Sequence, residues 1–241
     1  MKNNEVLQRI KGGLIVSCQA LPTEPLYSSY IMGRMARAAC DGGAVGIRAN
    51  SPCDITEIKK TVDLPIIGLF KVEYDDSQVY ITPTMKEIDE LIAVGVDIVA
   101  MDATNRLRPN QQTLANFFTE VKRKYPNQMF MADTSCYEEG VSAKELGFDI
   151  VGTTMSGYTE YTKDVQLPNY DLMKRYVDTL DMPIIAEGGI WTPEQLKTAL
   201  DLGVWTAVVG TAITRPRDIT RHFVENIQVG REQAVERAKV V

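Results

Sequence analysis

Histidine occurs once in these 241 residues, as His222, and cysteine four times, as Cys18, Cys40, Cys53 and Cys136. A metal centre built on several imidazoles has no ligands to use, and a histidine triad is not expected. The cysteines are scattered without a C-x-x-C pair, which argues against a zinc site or a disulfide framework. Free thiols and ten methionines suit a reducing, cytoplasmic setting. No apolar run approaches the roughly 20 residues of a membrane span. The opening Met1-Lys-Asn-Asn-Glu5 lacks the apolar region of a secretory signal. A net charge of −6 disfavours nucleic acid and anionic membranes as partners, since neither would be attracted. His222 falls in Ile219-Thr-Arg-His-Phe-Val-Glu-Asn226, a stretch of helical spacing, and is expected to be structural. Acid–base chemistry is then expected from lysine, carboxylate, tyrosine or cysteine.

An apolar share of 44% and a charged share of 24% describe an ordinary globular chain, long enough to bury a large core. Eight short apolar runs recur: Leu14–Ala20, Val45–Ala49, Pro65–Lys71, Asp97–Ala103, Met129–Thr134, Ile150–Thr154, Ile184–Glu187 and Ala207–Thr211. They are mostly continuous rather than alternating, as strands covered on both faces should be. Amphipathic stretches separate them, among them Tyr30–Cys40, Thr84–Ala93, Gln111–Lys124, Val141–Leu146, Asp171–Leu180, Pro193–Leu202 and Pro216–Ile227. Thr192-Pro193-Glu194 and Thr82-Pro83-Thr84 mark helix starts, and Gly43, Gly95, Gly147 and Gly203 mark helix ends. Strands alternating with helices predict parallel βαβ units, and eight such units fit a closed (β/α)8 TIM barrel spanning residues 1–241 as a single domain.

The run Pro183-Ile-Ile-Ala-Glu-Gly-Gly-Ile-Trp-Thr-Pro-Glu194, with Ala207-Val-Val-Gly-Thr-Ala212, reads twice as strand, glycine turn and helix start. Barrels of this class often bind phosphate in the loops after strands seven and eight. Backbone N–H groups of Gly188, Gly189, Gly210 and Thr211 can approach an anion that larger side chains would hold off. A small phosphorylated metabolite is the expected ligand. Catalytic groups of such a barrel sit where strands end. There the chain offers Gln19, Arg48, Lys71, Asp102, Asp133 and Glu187, with Arg215 shortly after strand eight. Desolvated charge in this number needs partners or a use. Lys71 follows the apolar Ile66-Ile-Gly-Leu-Phe70, and a desolvated lysine near cations has a lowered pKa and works as a base. Its alternative is a salt bridge to Asp102 or Asp133. Arg48 can clamp a substrate oxygen bidentately. Asp102 reads as structural, and Arg215 either meets phosphate or lies solvated on a loop.

Together these segments resemble the N-acetylmannosamine-6-phosphate 2-epimerase family. They are Leu14-Ile-Val-Ser-Cys-Gln-Ala-Leu-Pro22, Gly46-Ile-Arg-Ala-Asn50, Pro65-Ile-Ile-Gly-Leu-Phe-Lys71 and Met101-Asp-Ala-Thr104 with Arg106 and Arg108-Pro109. Met131-Ala-Asp-Thr-Ser135, Gly152-Thr-Thr-Met-Ser-Gly-Tyr158 and Ile185-Ala-Glu-Gly-Gly189 complete the set. The resemblance implies that Lys71 is the catalytic lysine and Glu187 a second essential acidic group. It implies substrate contacts from Gln19, Arg48, Asp133 and Arg215, and a 6-phosphate held by the glycine turns at Gly188, Gly189, Gly210 and Thr211. It further implies an enzyme without cofactor or metal, acting on a phosphosugar in sialic acid breakdown, and a homodimer. Asp133 is expected to orient Lys71 or to bind a sugar hydroxyl. Other phosphosugar barrels, a Schiff-base aldolase acting through Lys71, and a non-catalytic phosphosugar sensor remain as competing readings.

Overall fold

The computed structural model describes the backbone of residues 2–238 and the side chains of residues 3–227. Eight parallel strands close into a barrel in chain order: β1 (Leu14–Cys18), β2 (Gly46–Asn50), β3 (Ile66–Leu69), β4 (Ile98–Asp102), β5 (Met129–Asp133), β6 (Ile150–Gly152), β7 (Ile184–Glu187) and β8 (Thr206–Val209). The last strand pairs with the first, Leu14 beside Ala207 and Val16 beside Val209, so no sheet edge is left open. The expected single TIM barrel is the observed architecture.

Two cores explain why the strands read as unbroken apolar runs. Alternate residues point inward, where Ile15, Ile67, Leu69, Ile98, Ala100, Met131, Ile150, Ile185 and Val208 form one cluster. Their neighbours Val16, Ile47, Ile66, Val99, Phe130, Val151, Ile184 and Val209 point outward into a second cluster beneath the helices. That outer layer is supplied by α2 (Ser29–Asp41), α3 (Pro52–Lys59), α4 (Met85–Ala93), α5 (Leu114–Lys124), α6 (Tyr137–Leu146), α7 (Tyr170–Thr179) and α8 (Pro193–Asp201).

Local chemistry sets the helix ends. Thr84 and Thr192 cap α4 and α8 in reciprocal capping boxes with Glu87 and Gln195. Gly43, Gly95, Gly147 and Gly203 all take positive φ, as the turns into the next strands require. The helix anticipated from Gln111 begins only at Leu114, because Asn110 and Gln111 both adopt positive φ and Thr113 provides the cap. Strand β8 stops at Val209, and Thr211 opens a four-residue helix, α9 (Thr211–Thr214), so the anticipated strand is two residues too long. Besides α9, two longer helices lie outside the anticipated stretches. One is α3, with Ile55 and Ile58 on its buried side. The other precedes β1: α1 (Lys2–Ile10) places Val6 and Ile10 in the interior cluster, with Leu7 packed against it, and so plugs the base of the barrel. The chain continues after α9 as α10 (Pro216–Ala238), which leaves Phe223, Val224 and Ile227 exposed.

Helix α6 packs on α7 through Gly140, where a Cβ would lie 2.5 Å from Cζ of the fully buried Tyr176. That ring is pinned by its hydroxyl to Thr134 and to the carbonyl of Cys136, at the top of β5. Alanine favours a helix over glycine by about 1 kcal/mol, whereas overpacking costs about 1–3 kcal/mol and displacing the hydroxyl sacrifices hydrogen bonds worth about 1 kcal/mol each. The overlap wins. Gly140→Ala is expected to lower stability by about 2 kcal/mol and the melting temperature by about 4–8 °C, measured by thermal unfolding; an unchanged or higher melting temperature would show that the ring yields freely.

Candidate active site

The inward alternation that builds the core also builds the site. Continuing each inward series past the last apolar residue leads to Ser17 and Gln19 from β1, Arg48 in β2, Lys71 after β3, Asp102 in β4, Asp133 in β5, Thr154 after β6, Glu187 in β7 and Gly210 after β8. Period-two geometry therefore aims all of them at the barrel axis, near its C-terminal mouth. There a cavity of about 1060 Å3 opens, lined among others by Gln19, Arg48, Lys71, Thr154, Glu187 and Arg215.

Arg48 is the centre of this set. Its side chain is 1% exposed, and Nη2 donates to Oδ2 of Asp133 at 2.6 Å. Nε lies 3.3 Å from Oε1 of Glu187, at an angle that leaves it without a formal hydrogen bond. The two carboxylates are tied from the other side by Thr154, whose hydroxyl stands 2.7 Å from Oδ1 of Asp133 and 3.1 Å from Oε2 of Glu187. Burial first of all, and then the neighbouring Asp133, raise the Glu187 carboxyl to a pKa of about 7 against the pull of Arg48.

Lys71 is held by its backbone, where its N–H donates to Oδ1 of Asn50 at 2.8 Å and the residue bridges to Ile81. Among the described residues no carboxylate stands within ion-pair distance of its ammonium, so the anticipated alternative of a bridge to Asp102 or Asp133 is not formed. Desolvation, followed by repulsion from Arg215 and Arg48, lowers its pKa to about 8. Asp102 has the structural part anticipated for it: it is spent on Thr104 and on a 2.5 Å bridge to Arg106.

Asp133, the expected substrate contact, is completely buried and does not line the cavity, and its carboxylate is bonded by Arg48 and Thr154. Gln19 does face the cavity: Nε2 donates to the Ser17 hydroxyl at 2.8 Å while the buried Oε1 has no partner. Arg215 is neither free nor merely solvated, since Nε and Nη2 lie 3.3 and 3.4 Å from the carboxylate of Glu24 in the loop after β1. Gly188 and Gly189 both take positive φ, and the N–H groups of Gly188, Gly189, Gly210 and Thr211 meet no backbone carbonyl among the described residues. They line the same cavity as Arg215. His222 is exposed on α10 and stacks on Trp191 at the rim, with 4.8 Å between centroids. Among the described residues no group of histidine, cysteine and carboxylate side chains could hold a metal ion.

Two residues of the site escaped the sequence. Thr154 was findable, because it continues the inward series of Ile150 and Gly152. Glu24 carried no signal, since it sits in a loop whose path no periodicity describes.

The chain is similar to known proteins over nearly its whole length. Residues 32–229 match the sequence model of the family described as "Putative N-acetylmannosamine-6-phosphate epimerase". Relatives described as "Putative N-acetylmannosamine-6-phosphate 2-epimerase" include one from Caldanaerobacter subterraneus subsp. tengcongensis, 52% identical over 98% of this chain and 99% of its own length. Another, from Clostridioides difficile, is 53% identical over 93% of this chain and all of the relative. A solved structure of the N-acetylmannosamine-6-phosphate 2-epimerase from Clostridium perfringens superposes with a TM-score of 0.87 at 52% identity, covering 91% of this chain and 95% of that one. With an unpaired lysine, an arginine-bridged pair of carboxylates and a glycine-lined cavity on a barrel matched over nearly its whole length, the chain belongs to the N-acetylmannosamine-6-phosphate 2-epimerase family.

Proposed function

We propose that this protein inverts C2 of N-acetylmannosamine 6-phosphate to give N-acetylglucosamine 6-phosphate, by removing a proton and returning it on the opposite face. The observation that carries the reading is the unpaired amine of Lys71, set beside the cluster of Arg48, Asp133 and Glu187 at one end of the cavity. C2 of the sugar carries an acidic hydrogen only while C1 is an aldehyde, so the ring opens first. Protonated Glu187 exchanges the proton at the ring or anomeric oxygen and polarises C1. Neutral Lys71 then takes the C2 proton, the electron pair moves into a C1–C2 double bond and the carbonyl pair onto the C1 oxygen, which gives a 2-acetamido enol(ate) intermediate. Arg48, through its under-used Nε, and the amide of Gln19 stabilise the developing oxyanion. Return of a proton to C2 completes the inversion. The chemistry balances with no redox partner or metal, and we propose none.

The remote phosphate is held by Arg215 and the free N–H groups of Gly188, Gly189, Gly210 and Thr211, which orients C2 toward the lysine. Binding of the dianion draws Arg215 away from Glu24. Asp133 acts through Arg48 and not on the sugar. A role in sialic acid breakdown, a cytoplasmic setting and assembly as a homodimer belong to the same proposal; family membership supports the first two, and the exposed Phe223, Val224 and Ile227 suit the third.

The electrostatics support the pairing by magnitude. At pH 7.5, ordinary values of 10.5 and 4.5 would leave a neutral lysine beside a protonated glutamate in about one molecule per million. Burial and the charged neighbours move both groups toward that pairing, Lys71 down to about 8 and Glu187 up to about 7, and so raise the share far above that level.

Proton NMR of N-acetylmannosamine 6-phosphate in deuterated water should show the C2 hydrogen lost as the epimer appears. Lys71→Ala should abolish both with the protein still folded; continuing C2 exchange would remove Lys71 from the role. Borohydride should trap no lysine adduct, whereas a trapped one would favour the aldolase reading.

The pH dependence has a defined sign. Lys71 must lose its proton and Glu187 must keep its own, so kcat/KM should rise through about pH 7 and fall through about pH 8. Glu187→Gln should cut turnover by about 10²–10⁴ with little change in binding. Because glutamine stays neutral, its residual activity should climb with pH to a plateau. A variant that keeps the fall above pH 8, or turns over at the parental rate, would reject this role for Glu187.

A further inference from the structure

Thr154 occupies a position that the reaction as written does not use. Strand β6 stands between β5 and β7, and the register pairs Asp133 with Gly152 and Gly152 with Ile185. Thr154, two residues above Gly152, is thus level with Glu187 and on the inward face. Gly152 carries no side chain, and a Cβ there would lie 3.2 Å from the Thr154 hydroxyl and would also meet Met131. The space left lets the hydroxyl settle between the two carboxylates.

The result is a closed ring of four groups. Arg48 bonds Oδ2 of Asp133 at 2.6 Å and faces Oε1 of Glu187 at 3.3 Å. Thr154 faces the remaining oxygens, Oδ1 of Asp133 at 2.7 Å and Oε2 of Glu187 at 3.1 Å. A threonine hydroxyl has one hydrogen and two lone pairs. Its one hydrogen serves the nearer acceptor best, and the shorter distance assigns it to Asp133. What it then turns to Glu187 is a lone pair, which repels a carboxylate and accepts from a carboxylic acid.

We propose that Thr154 is the positioning residue that decides which carboxyl carries the proton: with its hydrogen directed at Asp133, it accepts from Glu187 and so holds the acid in Glu187. The inference rests on the proposed proton-transfer reading of the site and deepens it. A hydroxyl donated to Glu187 would favour its charged form; with the hydrogen committed to Asp133, the sign reverses. Other charged groups facing Glu187 are Arg48 from β2, Lys71 beyond β3 and Asp133 from β5, and substitution at Thr154 removes none of them. No covalent bond to carbon changes in this device; Thr154 keeps its own hydrogen, directed at Asp133, and the acid proton stays on Glu187.

Thr154→Val keeps the shape and deletes the hydroxyl, while Thr154→Ser keeps the hydroxyl. In the substrate-free protein, the carboxylic-acid C=O band followed by infrared spectroscopy against pH should vanish in Glu187→Gln and persist in Asp133→Asn. A band that vanishes in Asp133→Asn instead would overturn the proposal, whatever the protein catalyses. In Thr154→Val the band should titrate lower by about one pH unit. The acid limb of kcat/KM should move down with it, its maximum should fall about tenfold, and Thr154→Ser should restore the parental profile. An unmoved band and acid limb in folded Thr154→Val would sink the idea. Should valine prevent folding, the serine variant with a displaced profile would do the same. Failure of the epimerase reading shows separately, as a wild-type protein that leaves N-acetylmannosamine 6-phosphate unchanged.

Discussion

A single guanidinium, sealed from water between two carboxylates, is the interaction around which this barrel mouth is organised. Arg48 sits in the middle of a strand whose residues are all buried, and transfer of such a charge from water is affordable only with partners in place. Asp133 and Glu187 supply them from three and five strands away, so barrel closure is what brings the trio together. Removing one partner from a buried ion pair costs on the order of 3–5 kcal/mol, which makes the cluster a folding constraint as well as a chemical one. Burial first of all, and then the second carboxylate, raises Glu187 to about 7, while desolvation followed by repulsion from Arg215 and Arg48 lowers Lys71 to about 8.

The division of labour among the charged residues follows from depth. Asp133 is completely buried, and among the described residues its carboxylate is bonded by Arg48 and Thr154. Glu187 is one step higher and reaches the cavity. Arg215 lines the same cavity and is paired with Glu24. Lys71 stands between the two ends with no counter-ion at contact distance. A phosphate bound at one end and a carboxylic acid at the other would bracket a sugar whose C2 then falls beside the amine.

Much of this could be read from residue order alone, for a definite physical reason. Strands buried on both faces write themselves as apolar runs, so all eight were visible, and polar residues ending those runs had to face the mouth. Arg48, Lys71, Asp133 and Glu187 come straight from that reasoning. What escaped was governed by contacts distant in sequence. Helix α1 begins with Lys2-Asn-Asn-Glu5 and reveals its purpose only once Val6 and Ile10 are seen inside the barrel. Thr113 overrides the start of α5 because Asn110 and Gln111 turn left-handed, which no propensity at those positions demands. The burial of Asp133 behind Arg48 could not be read either, since strand-end residues look alike until their depth is known. Glu24 was hidden because its significance lies wholly in a partner 191 residues later.

The plug formed by α1 has a consequence for traffic. With Val6, Leu7 and Ile10 closing the lower end and Trp205 bonded to the Leu7 carbonyl, the barrel is a cul-de-sac and not a conduit. Whatever reaches the buried amine must back out along the path by which it arrived. Arriving and departing sugars therefore contend for one doorway, and water meets the reacting carbon from a single direction.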